Sequence, residues 1–196
     1  TITLEASNSV TTEYGITAEF APVILDPSQD FSSVKYIQIL KRQDVDVTAS
    51  GKIDITAGKN VFLGSETNLR IGQVQAGDTT IGDKIRIKGA AGVVNAATAS
   101  TTNLRGSDLI LEAASSGIGS SSAPIRMDLL GSATLTARAA DDIYLEETVG
   151  DMQVGTLFSQ TGDVHVKAAG SIVDGLNHDF TNIMARSIYL SAGGAI

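Results

Sequence analysis

With two histidines, 22 aspartates and glutamates and no cysteine, the chain offers imidazole and carboxylate chemistry but none from thiols. Cysteine-held metals, iron–sulfur clusters and thiol nucleophiles are thereby excluded. His165 stands between Val164 and Val166, and His178 between Asn177 and Asp179. A structural or catalytic zinc needs three or four ligands, and no His-x-x-x-His or Glu-x-x-His spacing occurs. Both read as surface histidines. Calcium takes oxygen ligands alone, so Asp44, Asp46 and Asp54, and the group Asp141, Asp142, Glu146 and Glu147, are the residues that could converge on one. Neither an EF-hand loop nor a Gly-Gly-x-Gly-x-Asp nonapeptide is present. These carboxylates read instead as outward, solvated groups that discourage sheet edges from associating. No nucleophile elbow, P-loop or dinucleotide fingerprint appears. No residue is therefore assigned a catalytic, cofactor-binding or metal-ligating role, and the expected cofactor is none, with calcium the one ion that has candidate ligands.

The elements that carry these residues are short and alike. Ser107-Asp108-Leu109-Ile110-Leu111-Glu112-Ala113 sets the pattern: two aliphatic residues alternate with outward neighbours, and a small residue follows. The phrase returns at Val45–Val47, Ile53–Ile55, Ile85–Ile87, Ala133–Leu135, Ile143–Leu145, Val164–Val166 and Ile188–Leu190. Strict alternation bounded by Gly, Ser, Asp and Asn marks a strand with one buried face. The first aliphatic residues Val45, Ile53, Val61 and Leu69 are eight residues apart, and Val61, Ile85, Leu109 and Ala133 are 24 apart. That period predicts a right-handed parallel β-helix, an all-β solenoid with three strand segments per coil of about 24 residues, each coil pairing only with its neighbours. About eight coils are expected over the chain at about 4.8 Å per rung. After Leu135 the steps become irregular, which fits turns of changing length. Adding 24 to Ile53 reaches Gly77 and Thr101, so one face is expected to be interrupted.

Composition agrees with a narrow aliphatic interior: aromatics make up 5% of the chain, charged residues 18%, and tryptophan is absent. A net charge of −8 argues against nucleic acid and anionic lipid, both of which call for a basic stripe. No apolar run approaches the length of a membrane-spanning helix, so no membrane insertion is expected.

One domain is expected, residues 1–196, read as a single solenoid segment of a larger protein. Within it, residues 45–196 form regular coils and residues 1–44 irregular coils or a lateral excursion. Ile2–Ala6 copies the phrase. Pro22 and Pro27 favour an edge or excursion, and Tyr14, Phe20, Phe31 and Tyr36 could form a lateral packing patch. Ser33–Leu40 reads as a longer strand or part of a hairpin.

Residues 44–196 resemble the repeat regions of large bacterial exoproteins of the filamentous-haemagglutinin type, which leave the cell by two-partner secretion. The resemblance rests on Leu109–Pro124, Asp142–Val154, Gly162–Asp174 and Ser187–Ile196. It implies a right-handed parallel β-helix exported from a Gram-negative cell to the extracellular space or cell surface. The implied role is a non-catalytic adhesive or structural shaft, in a surface filament or biofilm matrix. Its partners would be a host, neighbouring-cell or matrix surface (glycan or protein), with lateral or end-to-end self-association. The rival reading is a carbohydrate-binding or polysaccharide-degrading β-helix enzyme, which would need two carboxylates about 5–10 Å apart. Adjacent coils could supply that spacing almost anywhere. The outward residues Asp54, Phe62, Arg70, Arg86, Ile110, Thr134, Tyr144, His165 and Tyr189 are expected to form no concentrated set.

Overall fold

Alternating aliphatic phrases can hide their teeth only by facing another layer, and here they face each other across a tube. The computed structural model describes residues 2–6, 11–16, 39–78, 83–177 and 179–196, with backbone alone before Asp44. His178, Pro22, Pro27, Phe20, Phe31, Tyr36 and most of Ser33–Leu40 lie outside the described residues. The described chain has no helix, and so none long and apolar enough to cross a membrane.

Two nine-stranded sheets form the walls. The first runs Ile2–Ala6, Ile53–Ala57, Leu69–Ala76, Leu104–Gly106, Ile125–Leu129, Ile143–Glu147, Val164–Ala168 and Ile188–Ala192. The second runs Thr11–Ile16, Ile39–Asp46, Val61–Ser65, Ile85–Gly89, Leu109–Ala113, Thr134–Ala139, Met152–Ser159 and Ile172–Asp174, with Ile183–Met184 also on Met152–Ser159. Among the described strands every pairing is parallel except that of Thr11–Ile16 with Ile39–Asp46. A thin third row joins Leu69–Ile71 to Val93–Asn95 and continues through single bridges from Val93 to Ile118 and Ile143. Among the described residues some coils thus have three segments, such as Val164–Ala168, Ile172–Asp174 and Ile183–Met184, and others two, such as Ile143–Glu147 and Met152–Ser159. This is the β-solenoid the spacing predicted.

The register corrects several details. Val61, Ile85 and Leu109 do stack at the predicted period, but the next rung is Leu135, not Ala133. The short beat through Val45, Ile53, Val61 and Leu69 alternates between walls, so that Val45 pairs with Leu63 and Ile53 with Ile71. Leu69–Ala76 is a single strand of 8 residues that continues past Gly72. On the face expected to be interrupted, Ile55 pairs with Val74 and Val74 with Leu104, the second step much longer than the first. The ladder there continues, but it is weakened as expected, by a β-bulge and by a step that pairs only Val74 with Leu104 and Gln75 with Arg105. Among the described residues about five coils of about 24 residues stack, where about eight were expected over the whole chain. The reason is that the N-terminal strands do not form coils of that length. Ile2 pairs with the distant Ile53, and Thr11–Ile16 pairs antiparallel.

The interior is mainly aliphatic. Ile53, Ile55, Ile85, Ile87, Leu109, Leu111, Val164 and Val166 are buried as expected, whereas Val45 and Val47 at the tube's beginning are only half-buried. Many of the strands close on a small inward residue at the corner: Ala57, Ala76, Gly89, Ala113, Ala139, Ala168 or Ala192. Where that residue is polar, corner backbone satisfies it. The Ser65 hydroxyl accepts from Thr67 N–H, and that of Ser159 donates to Asp141 carbonyl and accepts from Gly162 N–H. Glu147, 1% exposed, accepts from the N–H groups of Leu129, Val149 and Gly150.

Burial pushes the Glu147 carboxyl above its ordinary value of 4.5, against the pull of those three donors and with the Asp128 charge adding to the rise. A carboxyl whose folded pKa is raised stabilises the fold while protonated. That contribution fades as pH rises through the unfolded and then the folded value. Glu147→Gln removes the titration, so the stability advantage of the native chain over Glu147→Gln is expected to shrink between pH 4 and pH 7. Urea midpoints of both proteins across that range check it, and a constant difference would refute the assignment.

Candidate functional site

Outward positions on a parallel ladder stack directly over one another, so like residues in successive coils meet as rows. Tyr144, His165 and Tyr189 occupy the same outward position on three adjacent strands of the first sheet. Their rings stack face to face, with centroids 4.4 Å apart at both steps and tilts of 10° and 7°. This overturns the expectation of scattered outward residues and makes His165 the half-buried centre of a sandwich. The trace in the sequence is Ile-Tyr-Leu, Val-His-Val and Ile-Tyr-Leu. A fixed period does not connect them, because the coil from Tyr144 to His165 is shorter than the coil from His165 to Tyr189.

Beside the rings runs a shallow groove of about 370 Å³. The strand backbone at Leu145, Val166 and Leu190, whose side chains turn inward, lies between the ring row and the outward row of Glu146, Lys167 and Ser191. Ser121 and Pro124 close the end next to Tyr144. Glu146 pairs with Lys167 Nζ at 2.9 Å and with Arg126 Nη1 at 3.5 Å. On the opposite side of the rings, burial raises the Tyr144 phenol above its ordinary value, and the charges of Asp142 and Asp163 raise it further. Gly119 sits at the base of the closing turn with φ +66°, and a Cβ there would lie 2.7 Å from the Tyr144 carbonyl. The turn beside the groove therefore requires glycine.

Aromatic pairs contribute about 0.5–1.5 kcal/mol each beyond area burial. His165→Ala, which removes both contacts, is therefore expected to destabilise the protein by about 1–3 kcal/mol, with His165→Phe recovering most of it. Equilibrium unfolding of both variants is the check, and a loss within error for His165→Ala would mean that the rings carry no stability.

The carboxylates considered for calcium are held by other partners. Asp44 meets Arg86 at 3.2 Å, and burial still leaves its pKa raised. Asp54 pairs with Lys52 at 3.0 Å and accepts from Gln73 N–H. Its pKa is lowered, the Lys52 and Gln73 hydrogen bonds outweighing the largest single effect, desolvation. Asp46 leans against Gly64, Asp142 accepts from Asp163 N–H, and Glu147 is enclosed by backbone donors. Among the described residues no three of His, Asp or Glu converge as a metal site would.

Of the other outward residues, Arg86 joins Asp44 and Glu112 in one ion cluster. Phe62 is 3% exposed despite its outward position, close to the antiparallel strand Thr11–Ile16.

A second device leaves almost no pattern in the sequence. Two long strands share the order aliphatic-x-aliphatic-Gly-x-aliphatic-x-small: Leu69–Ala76 and Met152–Ser159. Each takes a β-bulge at its glycine. At each bulge an asparagine from the next coil reaches two successive carbonyls, the first of which also accepts a backbone N–H, from Ala96 or Gly175. Asn103 Nδ2 donates to the carbonyls of Ile71 (3.2 Å) and Gly72 (2.9 Å), and Asn182 Nδ2 to those of Val154 (3.1 Å) and Gly155 (3.0 Å). Each amide also donates to an earlier Asx, Asn95 or Asp174, whose Oδ1 accepts from the N–H of Ala97 or Leu176. The same clasp thus holds two excursion loops on opposite walls. Its sequence trace is Thr102-Asn103-Leu104 against the later Thr181-Asn182-Ile183.

Comparison with protein-family models, with curated proteins and with solved structures finds no match to this chain.

Proposed function

We propose that this chain is a non-catalytic structural and adhesive shaft segment of a large exported bacterial surface protein. It would project from the cell surface or build a filament or matrix there. The observation that carries the reading is the continuous parallel ladder on both walls, from Ile39–Asp46 and Ile53–Ala57 through to the last described strands. Backbone groups paired coil to coil make a stiff rod without any bound cofactor. Ion pairs between coils, Arg105 with Asp128 at 2.8 Å and Arg186 with Asp163 at 2.9 Å, clip successive rungs on the outside. The aromatic row and its groove supply a contact surface on the exterior.

A glycan and matrix-protein array, paired with a reducing-end release assay on the ligands it retains, tests the proposal. Retention without release supports it. Release of reducing ends would overturn it in favour of a polysaccharide-degrading β-helix. Retention of nothing would remove the adhesive half.

A further inference from the structure

We propose that the groove beside Tyr144, His165 and Tyr189 binds an acidic polysaccharide, one carrying carboxylates on well-separated sugar units. The inference deepens the adhesive reading and rests on it. The rings are already stacked at 4.4 Å, so no planar base can slide between them, which needs about twice that ring spacing. Their outward edges remain, with two phenol groups and an imidazole following one another at the rung spacing. Such a row suits a ligand rich in hydroxyls better than one that binds by stacking.

The outward row that holds Glu146 gives the sign of the charge. Arg126 and Lys167 flank the single carboxylate of Glu146, a local surplus of one positive charge on a chain of net −8. Glu146 is only 14% exposed, whereas Lys167 is 65% exposed and can turn toward a ligand while Arg126 keeps its own contact with Glu146. Asp142 and Asp163, with Asp141 nearby, lie on the other side of the rings and would repel a densely charged polyanion. A nucleic acid or a heavily sulfated chain fits this field poorly. One carboxylate every second sugar fits it well. The groove runs along the coil axis from the Ser121–Pro124 end, so the chain would lie parallel to the shaft and cross several rungs.

The probe is an octasaccharide of alternating glucuronate and N-acetylglucosamine, titrated calorimetrically against an N-acetylglucosamine oligomer of equal length. The acidic oligomer is expected to bind and the neutral one to bind at least about tenfold more weakly. Lys167→Glu is expected to weaken the acidic oligomer about tenfold, and Lys167→Arg to restore it. Because Lys167 is exposed, both variants should fold, and their circular dichroism verifies this. Equal affinity for the two oligomers, absence of binding, or full affinity in folded Lys167→Glu would overturn the inference. Retention of some other ligand on the array, alongside any of these results, would leave the adhesive shaft standing and remove only this ligand assignment.

Discussion

Asn103→Ala is expected to destabilise the protein by about 3–5 kcal/mol, more than any other single polar substitution among the described residues. Asn103 is fully buried, and its amide spans the bulge in Leu69–Ala76. Truncation strands the carbonyl of Gly72, leaves that of Ile71 with the Ala96 N–H as its remaining donor, frees the N–H of Arg126, which donates to Asn103 Oδ1 at 3.0 Å, and leaves Asn95 Oδ1 without one donor. Each buried polar group left unpaired costs about 1–3 kcal/mol. Partial rescue by water keeps the sum below the total of the individual terms. Asn103→Asp should fare no better, because a carboxylate would face two carbonyls. Asn182→Ala should cost roughly half as much, since Asn182 is only half-buried and water can reach its partners. Urea-unfolding midpoints rank the three variants. Equal, small losses for Asn103→Ala and a surface control would show that the clasp is ornamental.

Leu111→Ala is expected to cost about 2–5 kcal/mol, while Ile110→Ala should cost under about 1 kcal/mol. Leu111 is fully buried, with Ile87 and Ala137 as its rung neighbours above and below. Ala137 is too small to expand into the space, so the cavity persists and the loss falls in the upper half of the range. Ile110, its immediate neighbour, points outward between Arg86 and Thr136 and is half-buried. Adjacent residues of equal hydrophobicity thus differ severalfold in cost. Thermal or urea unfolding of the pair measures this, and similar losses for both would mean that the alternation assigned to Leu109–Ala113 is wrong.

The solenoid is legible in the sequence because its cause is local. Aliphatic alternation followed by a small corner residue specifies which side of a strand is buried without reference to any other coil. Hence Ile53/Ile55, Ile85/Ile87 and Leu109/Leu111 all point inward as their pattern requires. Register between coils is set by turn length, which leaves a weaker trace. A constant period carries Leu109 to Ala133, but the structure carries it to Leu135, because a longer turn shifts the rung without disturbing the ladder.

The candidate site depends on that hidden quantity. Tyr144, His165 and Tyr189 each look like an isolated outward residue, and they meet only once the unequal lengths of the two coils between them are known. Glu147 misleads for a related reason. It occupies the inward corner position that alanine holds in most other strands, so it is enclosed and not solvated. Asn103 stands in a run of small polar residues that reads as a loop, and only the bulge at Gly72 gives its amide a purpose.

Coil-on-coil stacking underlies the shaft, the ring row and the groove alike, and the absence of native cysteine allows it to be measured with site-specific labels. Lys88, Glu112 and Arg138 occupy one outward row on three successive strands of the second sheet, with Lys88 and Arg138 both exposed. Nitroxides on a Lys88→Cys, Arg138→Cys double variant should report backbone positions two rungs apart, about 10 Å, with strong dipolar broadening. An unbroadened spectrum, placing these residues more than about two strand-pair spacings apart, would contradict the stack and everything built on it.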